Sequence, residues 1–402
     1  MLGVTLLAQG VAWAILVAAH GGRRVIGYGL FDLSDTALYF RYADKIAHGL
    51  RPFLDFRIEY PPLAVPLFRL PTTLHGLHAY QVGFAAEMAL FTVLAALATV
   101  LAEWVRNRDV GRAYRVAVWF AVLQVATGGI IVNRYDASIA LVFALTLLAI
   151  AAGWWEVAGL VLGIGFALKL TPIFLLPLPL LIAPKRRALT TTLAFAVAAV
   201  APFLPYLLGG TQARAGLAET FAYHMQRPLE IESLLATPLW IAHRFAGVGL
   251  RVVYEFGSHN VVAPGAKLAA SLSTPLVLAL LALVYWAIAR RRETLRESGR
   301  AVAPAMLVVL LGSMLFSKVL SPQYVVWLLP AAALVAADDA GLGVLVAALM
   351  ALTQWLFPPA YTSLKLDQAL GFCVVLARNV VLVAAFGVSV WAFLRVPTRA
   401  RR

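Results

Sequence analysis

The sequence predicts an all-α polytopic membrane protein, a bundle of about twelve transmembrane helices with external juxtamembrane helices. Three observations predict it. Of 402 residues, 62% are hydrophobic and only 13% charged, against about 45–50% apolar and about 25% charged in soluble domains. Apolar runs recur along the whole length and leave no room for a large soluble domain, so 1–402 reads as one membrane domain. The basic residues that give a net charge of +14 gather in short loops between those runs, as topology signals do.

The strongest basic clusters are 106–115 (RNRDVGRAYR), 185–187 (KRR), 290–300 (RRRETLRESGR) and the tail 395–402. The positive-inside rule puts all four in the cytoplasm, so the spans between them come in even numbers. Span 1 is 3–20; it lacks the basic start of a signal peptide and reads as uncleaved. Span 2 is 80–104, and the segment between, 21–79, is external. Its piece 61–74 (PPLAVPLFRLPTTL) is apolar but proline-broken and too short to cross; it reads as an interfacial or re-entrant helix. Spans 3 and 4 flank an external NRYD at 133–136. One helix over 155–183 would bury Lys169 near the bilayer centre, at about 2.5–3.5 kcal/mol. Pro172, Pro177 and Pro179 argue for a break instead: two short spans, 155–168 and 171–183, with Lys169 at the external turn. Span 7 is 188–208, and 209–266 is a second long external loop. Spans 8 to 12 are 267–289, 301–316, 323–337, 341–357 and 371–394. Both termini are then cytoplasmic.

Composition also excludes. The basic charge sits at span ends rather than on one face, so nucleic acid is not a partner. The single cysteine, Cys373, allows no intramolecular disulfide. There is no P-loop, HExxH or CxxC pair. Gly159 and Gly163 form a GxxxG, a helix-packing signal.

On this topology Asp32, Asp35, Asp55, Glu59, Arg134, Asp136, Lys169, His224, Arg227, Glu230, Glu232, Lys318 and Gln323 all fall on the external side, most of them at predicted helix ends. Charges beside apolar spans are functional candidates unless they pair or snorkel. Asp35 opens a helix running to His48, where it is either an N-cap or a general base; Asp32 offers the same chemistry. Asp44 fits a solvated face, and Asp55 and Glu59 have Arg51 and Arg57 as neighbours. Lys169 in FALKLTP and Lys318 in FSKVLSPQYVVWLLP suit a phosphate at the membrane surface, with Gln323 offering amide hydrogen bonds. Arg134 and Asp136 are close enough in sequence to pair at a turn. Tyr223 and Trp240, beside His224, Arg227 and Glu232, fit an interfacial belt. Arg378 lies about 11 Å below the outer end of span 12 and requires a partner or a wet cavity.

Five segments carry a resemblance: SDTALYFRYADKIAHGLRPFLDFRIEYPPLAVPLF, NRYDASIALVFALTLLA, GFALKLTPIFLLPLPLL, YHMQRPLEIESL and FSKVLSPQYVVWLLP. Together, in this order over 31–331, they resemble the GT-C glycosyltransferases, and most closely the polyprenol-phosphate-mannose-dependent mannosyltransferases of family 87. The glycosylphosphatidylinositol mannosyltransferase I family is a more distant likeness. The resemblance implies a hexosyltransferase using a polyprenyl-phosphate sugar, with an external active site and a glycolipid or polysaccharide acceptor. It places the catalytic acid on Asp35, and donor-phosphate contacts on Lys169, Lys318 and Gln323. A strict Asp-x-Asp is absent, so the choice between Asp35 and Asp32 stays open, as does any need for a divalent metal; no cofactor is otherwise indicated.

A phosphate leaving group requires cations rather than a general acid, which suits Lys169, Lys318, Arg227 and Arg134. One carboxylate then suffices to deprotonate the acceptor, and direct displacement inverts the anomeric centre. Glu59, Tyr60, Asp136, His224 and Glu232 remain for sugar or acceptor hydroxyls. The alternatives are an arabinofuranosyl or other polyprenyl-phosphate-sugar transferase, a lipid or sugar transporter, and a scaffold in a cell-envelope assembly. No internal repeat of the kind transporters show is evident.

Overall fold

A computed structural model describes residues 1–21, 33–73 and 76–397. Six helices are long and apolar enough to cross a membrane: Leu2–Ala19, Leu77–Asn107, Lys185–Leu208, Ala266–Arg290, Ala340–Lys365 and Ala369–Arg395. Five shorter apolar helices, Asp136–Ala152, Trp155–Leu168, Thr171–Ile182, Gly299–Leu315 and Pro322–Ala336, fall on expected spans. The third expected span is the helix Val110–Thr127, with Arg112 and Arg115 in its first two turns. The chain is a helical membrane protein.

The described residues form two compact units, one of 1–6, 33–114 and 131–226, the other of 7–21, 115–130 and 227–397. In the first, Leu77–Asn107 packs on Asp136–Ala152, and Trp155–Leu168 packs on Lys185–Val200. Asp136–Ala152 is apolar on every face and largely buried, as an interior helix should be. The GxxxG serves as expected: a side chain at Gly159 would strike the Thr191 carbonyl, and one at Gly163 the Phe195 carbonyl. The proline-broken segment forms two short pieces, Ala64–Arg69 and the 3-10 turn Leu70–Thr73. Trp155–Leu168 ends at Lys169, whose backbone is extended, and a 3-10 turn Thr171–Leu175 and the helix Pro177–Ile182 follow. The break expected at Lys169 is therefore present.

The second stretch expected outside the membrane is more ordered than a loop. Thr211–Gln226 is a helix with a stripe at four-residue spacing, one face of a helix. Gln212 donates to the Leu54 carbonyl (3.3 Å), Thr220 to that of Ile58 (2.7 Å) and His224 to that of Glu59 (2.9 Å). Between them a side chain at Gly216 would collide with the Phe53 carbonyl. The stripe fastens residues 53–59 along the helix.

In the second unit Val302–Leu315 is buried all round, with Ala266–Arg290 and Ala369–Arg395 against it. Ala340–Trp355 packs on Ala369–Arg395, and Asp339 caps its start by accepting from the Leu342 N–H. The helix Thr237–Ala246 precedes a hairpin, Arg251–Glu255 with Ser258–Val262. This hairpin corrects the all-α expectation. Its turn residues Phe256 and Gly257 have φ of 53° and 65°, the left-handed pair of a type I′ hairpin turn, which suits the twist of the flanking strands.

Candidate active site

In the first unit the acid and base candidates meet as two ion pairs. Asp35 lies in the first turn of the helix Ser34–Ala47. The N-cap position is Leu33, so Asp35 lies inside the first turn and not at the cap; its carboxylate takes the Arg134 guanidinium. Both side chains remain partly exposed. Asp136 binds Lys169 at 2.6 Å, and Lys169 also sits 5.1 Å above the Tyr135 ring. These contacts correct the expected Arg134–Asp136 pair. Asp136 begins the helix and Arg134 precedes it, and residues two apart do not face each other. Each therefore finds a partner brought by another segment.

Aromatic rings pack beside these pairs. Tyr39 stacks on Phe68 at 4.3 Å and meets Tyr60 and Tyr135 edge-on at 5.5 and 6.1 Å. Burial first, then the Asp35 charge, pushes the Tyr39 hydroxyl well above its ordinary range. Burial does the same to Tyr60. The two phenols therefore stay protonated and act only as neutral hydrogen-bonding groups. Arg134 is desolvated by burial, yet Asp35 and the surrounding oxygens more than offset this and hold its charge. Glu59 and Tyr60 are half-buried, and the Glu59 side chain bonds the Tyr42 hydroxyl. Asp55 pairs with Arg51 at the surface, and Asp44 faces His48 there. His224 bonds the backbone of Glu59, which is a fastening contact. Asp32 lies outside the described residues.

In the second unit the candidates gather differently. Arg227 and Lys318 are close enough for the Arg227 charge to add to burial in lowering the Lys318 ammonium below its ordinary range. The acid beside them is Glu230, whose Oε1 lies 3.6 Å from Arg227 Nη2. Gln323 is buried at the start of the 3-10 turn Pro322–Leu328, with no hydrogen bond to its Oε1. Glu232 is fully buried against Arg378 in the last helix. That contact supplies the partner Arg378 required, and it makes Glu232 part of the core.

Glu230 is the residue whose part at this site the sequence reading missed. The signal was present in PLEIES, where two acids alternate, but nothing local distinguishes the one that faces the cations. Among the described residues no group of three or more His, Cys, Asp or Glu side chains could hold a metal ion.

No curated protein matches the chain. The model of glycosyltransferase family 87 matches residues 58–322, about two thirds of the sequence. The match takes in Glu59, Tyr60, Arg134, Asp136, Lys169, His224, Arg227, Glu232 and Lys318, and it leaves Asp35, Gln323 and Arg378 outside. A match of that extent, on a helical membrane chain, makes the protein a membrane glycosyltransferase that belongs to glycosyltransferase family 87.

Proposed function

We propose that the protein moves a hexose, with mannose the first candidate, from a polyprenyl-phosphate donor to a glycolipid or polysaccharide acceptor. The reaction takes place on the external face of the cell membrane, with both termini and the four basic clusters in the cytoplasm. The observation that carries the reading is the partly exposed Asp35 carboxylate, held by Arg134 in the first turn of a helix. A general base must be aimed at the proton it takes, and a guanidinium partner aims this carboxylate.

Asp35 takes the proton of the acceptor hydroxyl. The acceptor oxygen bonds to the anomeric carbon as the bond from that carbon to the phosphate oxygen breaks, and the electron pair leaves with the phosphate. Direct displacement inverts the centre. Arg227 and Lys318, with the Gln323 amide, are the groups of the second unit suited to hold a phosphate. Fixed cations of this kind stabilise a transition state without reorganising. Lys169 and Arg134 already engage carboxylates and serve as orienting groups. Glu59 and Tyr60 are the half-buried polar groups suited to sugar hydroxyls, whereas Asp136 and Glu232 are buried in ion pairs.

The test uses protein in nanodiscs with radiolabelled polyprenyl-phosphate-mannose and a membrane glycolipid extract, beside Asp35→Asn. Label reaching a new lipid or glycan only with the unaltered protein supports both donor and base. Equal transfer by both proteins removes Asp35 from the role and turns attention to Asp32. Transfer from polyprenyl-phosphate-arabinose alone changes the sugar. Movement of labelled donor between leaflets without a covalent product refutes the transferase assignment of this site in favour of transport.

A further inference from the structure

We propose that Glu230 is a positioning residue: its carboxylate builds the anion-holding loop of the second unit by fixing Arg227 beside residues 318–321. The proposal rests on the phosphate role given above to Arg227 and Lys318.

The geometry comes from four directions. The Glu230 carboxylate is buried, and a buried carboxylate is unfavourable unless donors surround it. Its Oε2 accepts from the Leu320 N–H at 2.8 Å, and its Oε1 accepts from the Ser321 hydroxyl at 3.4 Å. The same Oε1 faces Arg227. The Glu230 N–H donates to the Lys318 carbonyl at 2.9 Å, so backbone and side chain grip one loop at both ends. That loop is tied again from behind, where the Lys318 N–H donates to Ser273 Oγ at 2.8 Å and Ser273 donates to the Phe316 carbonyl at 2.7 Å.

Glu230 is itself held. The Val261 N–H donates to the Leu229 carbonyl (2.8 Å) and the Ile231 N–H to that of His259 (3.1 Å), so 229–231 is held by an antiparallel bridge to the hairpin's second strand. Arg378 donates to the Glu232 carbonyl at 2.5 Å, and Asn379 to Thr237 Oγ1 at 2.7 Å. Hairpin, last helix and loop thus converge on one carboxylate.

The electrostatics explain why an acid stands beside an anion site. Arg227 and Lys318 repel each other, and a counter-charge facing Arg227 offsets part of that repulsion while leaving the group net positive. A phosphate then meets cations already placed.

Glu230→Gln separates the parts of this role. The amide oxygen can still accept from Leu320, and the amide nitrogen can donate to Ser321. Neither can replace a carboxylate oxygen facing Arg227, because that position would hold a donor against a donor. With the unaltered protein as reference, KM for the polyprenyl-phosphate sugar and binding of a long-chain polyprenyl phosphate are measured in nanodiscs. The expected result is a donor KM raised about tenfold with kcat within about threefold, and polyprenyl phosphate binding weakened in parallel. Ser273→Ala, which cuts the tie behind Lys318 and leaves Glu230 intact, is expected to raise the same KM by about threefold. It provides the independent measurement if Glu230→Gln does not fold. Donor KM and polyprenyl phosphate binding unchanged or improved in Glu230→Gln, or unchanged in Ser273→Ala where that variant stands alone, overturns the proposal. An unaltered protein that neither binds polyprenyl phosphate nor transfers from it refutes instead the donor reading on which the proposal rests.

Discussion

The candidate clusters of the two units hold their charges in different ways. In the first, each acid has its own cation: Asp35 with Arg134, and Asp136 with Lys169. In the second, Arg227 faces the acid Glu230 and crowds a second cation, Lys318. Balanced pairs fix the direction of a carboxylate without attracting an anion. An excess of cation does attract one. On the proposed reading, this difference in charge separates proton handling by Asp35 from phosphate binding by Arg227 and Lys318.

Substitutions should separate those roles. The largest effect is expected from Asp35→Asn, which keeps the shape and removes the base; turnover should fall by about a thousandfold in the label-transfer assay with donor KM little changed. Next comes Arg134→Gln. It leaves Asp35 present but unaimed, and kcat should fall by about a hundredfold with less change in KM. Lys318→Ala should show the reverse split, a donor KM raised by about tenfold or more with a milder effect on kcat, because it removes a charged donor from the leaving phosphate. If Arg134→Gln raised KM and Lys318→Ala lowered only kcat, the assignment of the two units would have to be exchanged.

The smallest effect concerns the pH dependence of stability, at a clasp outside both sites. His243 donates through Nδ1 to the Val248 carbonyl (2.6 Å) and through Nε2 to Asp367 (2.7 Å), and Arg244 pairs with the same acid at 2.9 Å. The Asp367 hydrogen bond and then the Val248 carbonyl raise the imidazole above its ordinary 6.5. A raised folded value means that the clasp's contribution is fully present below about 6.5 and is lost as pH rises through the folded value. The difference in thermal stability between the unaltered protein and His243→Gln should therefore shrink from pH 6 towards pH 8. A constant difference would show that the clasp acts through shape alone.

Much of the frame was legible in residues. Periodic apolar runs marked the helices, the prolines after Lys169 marked the break, and the glycines at 159 and 163 marked where two helices touch. Those signals are local. The pairings were not legible, because a charge in sequence does not name its partner. Arg134 was read with Asp136, its neighbour in the chain, yet it binds Asp35 from the first external stretch. The hairpin escaped notice because five-residue strands with mixed burial leave no clear alternation. Glu230 escaped because its role depends on a loop and a hairpin that only the folded chain brings to it.

The hairpin also sets where this chain tolerates insertion. Residues 229–231 bond to the strand Ser258–Val262, and that strand's register is set by the two-residue turn at Phe256 and Gly257. Side chains alternate faces along a strand, so one added or deleted residue there would turn over everything beyond it. Tyr254, though exposed, packs its ring 5.0 Å from that of His259, its partner on the other strand, so the pairing depends on this spacing. The twist of that two-residue turn thus acts as a ruler for where the Glu230 carboxylate ends up.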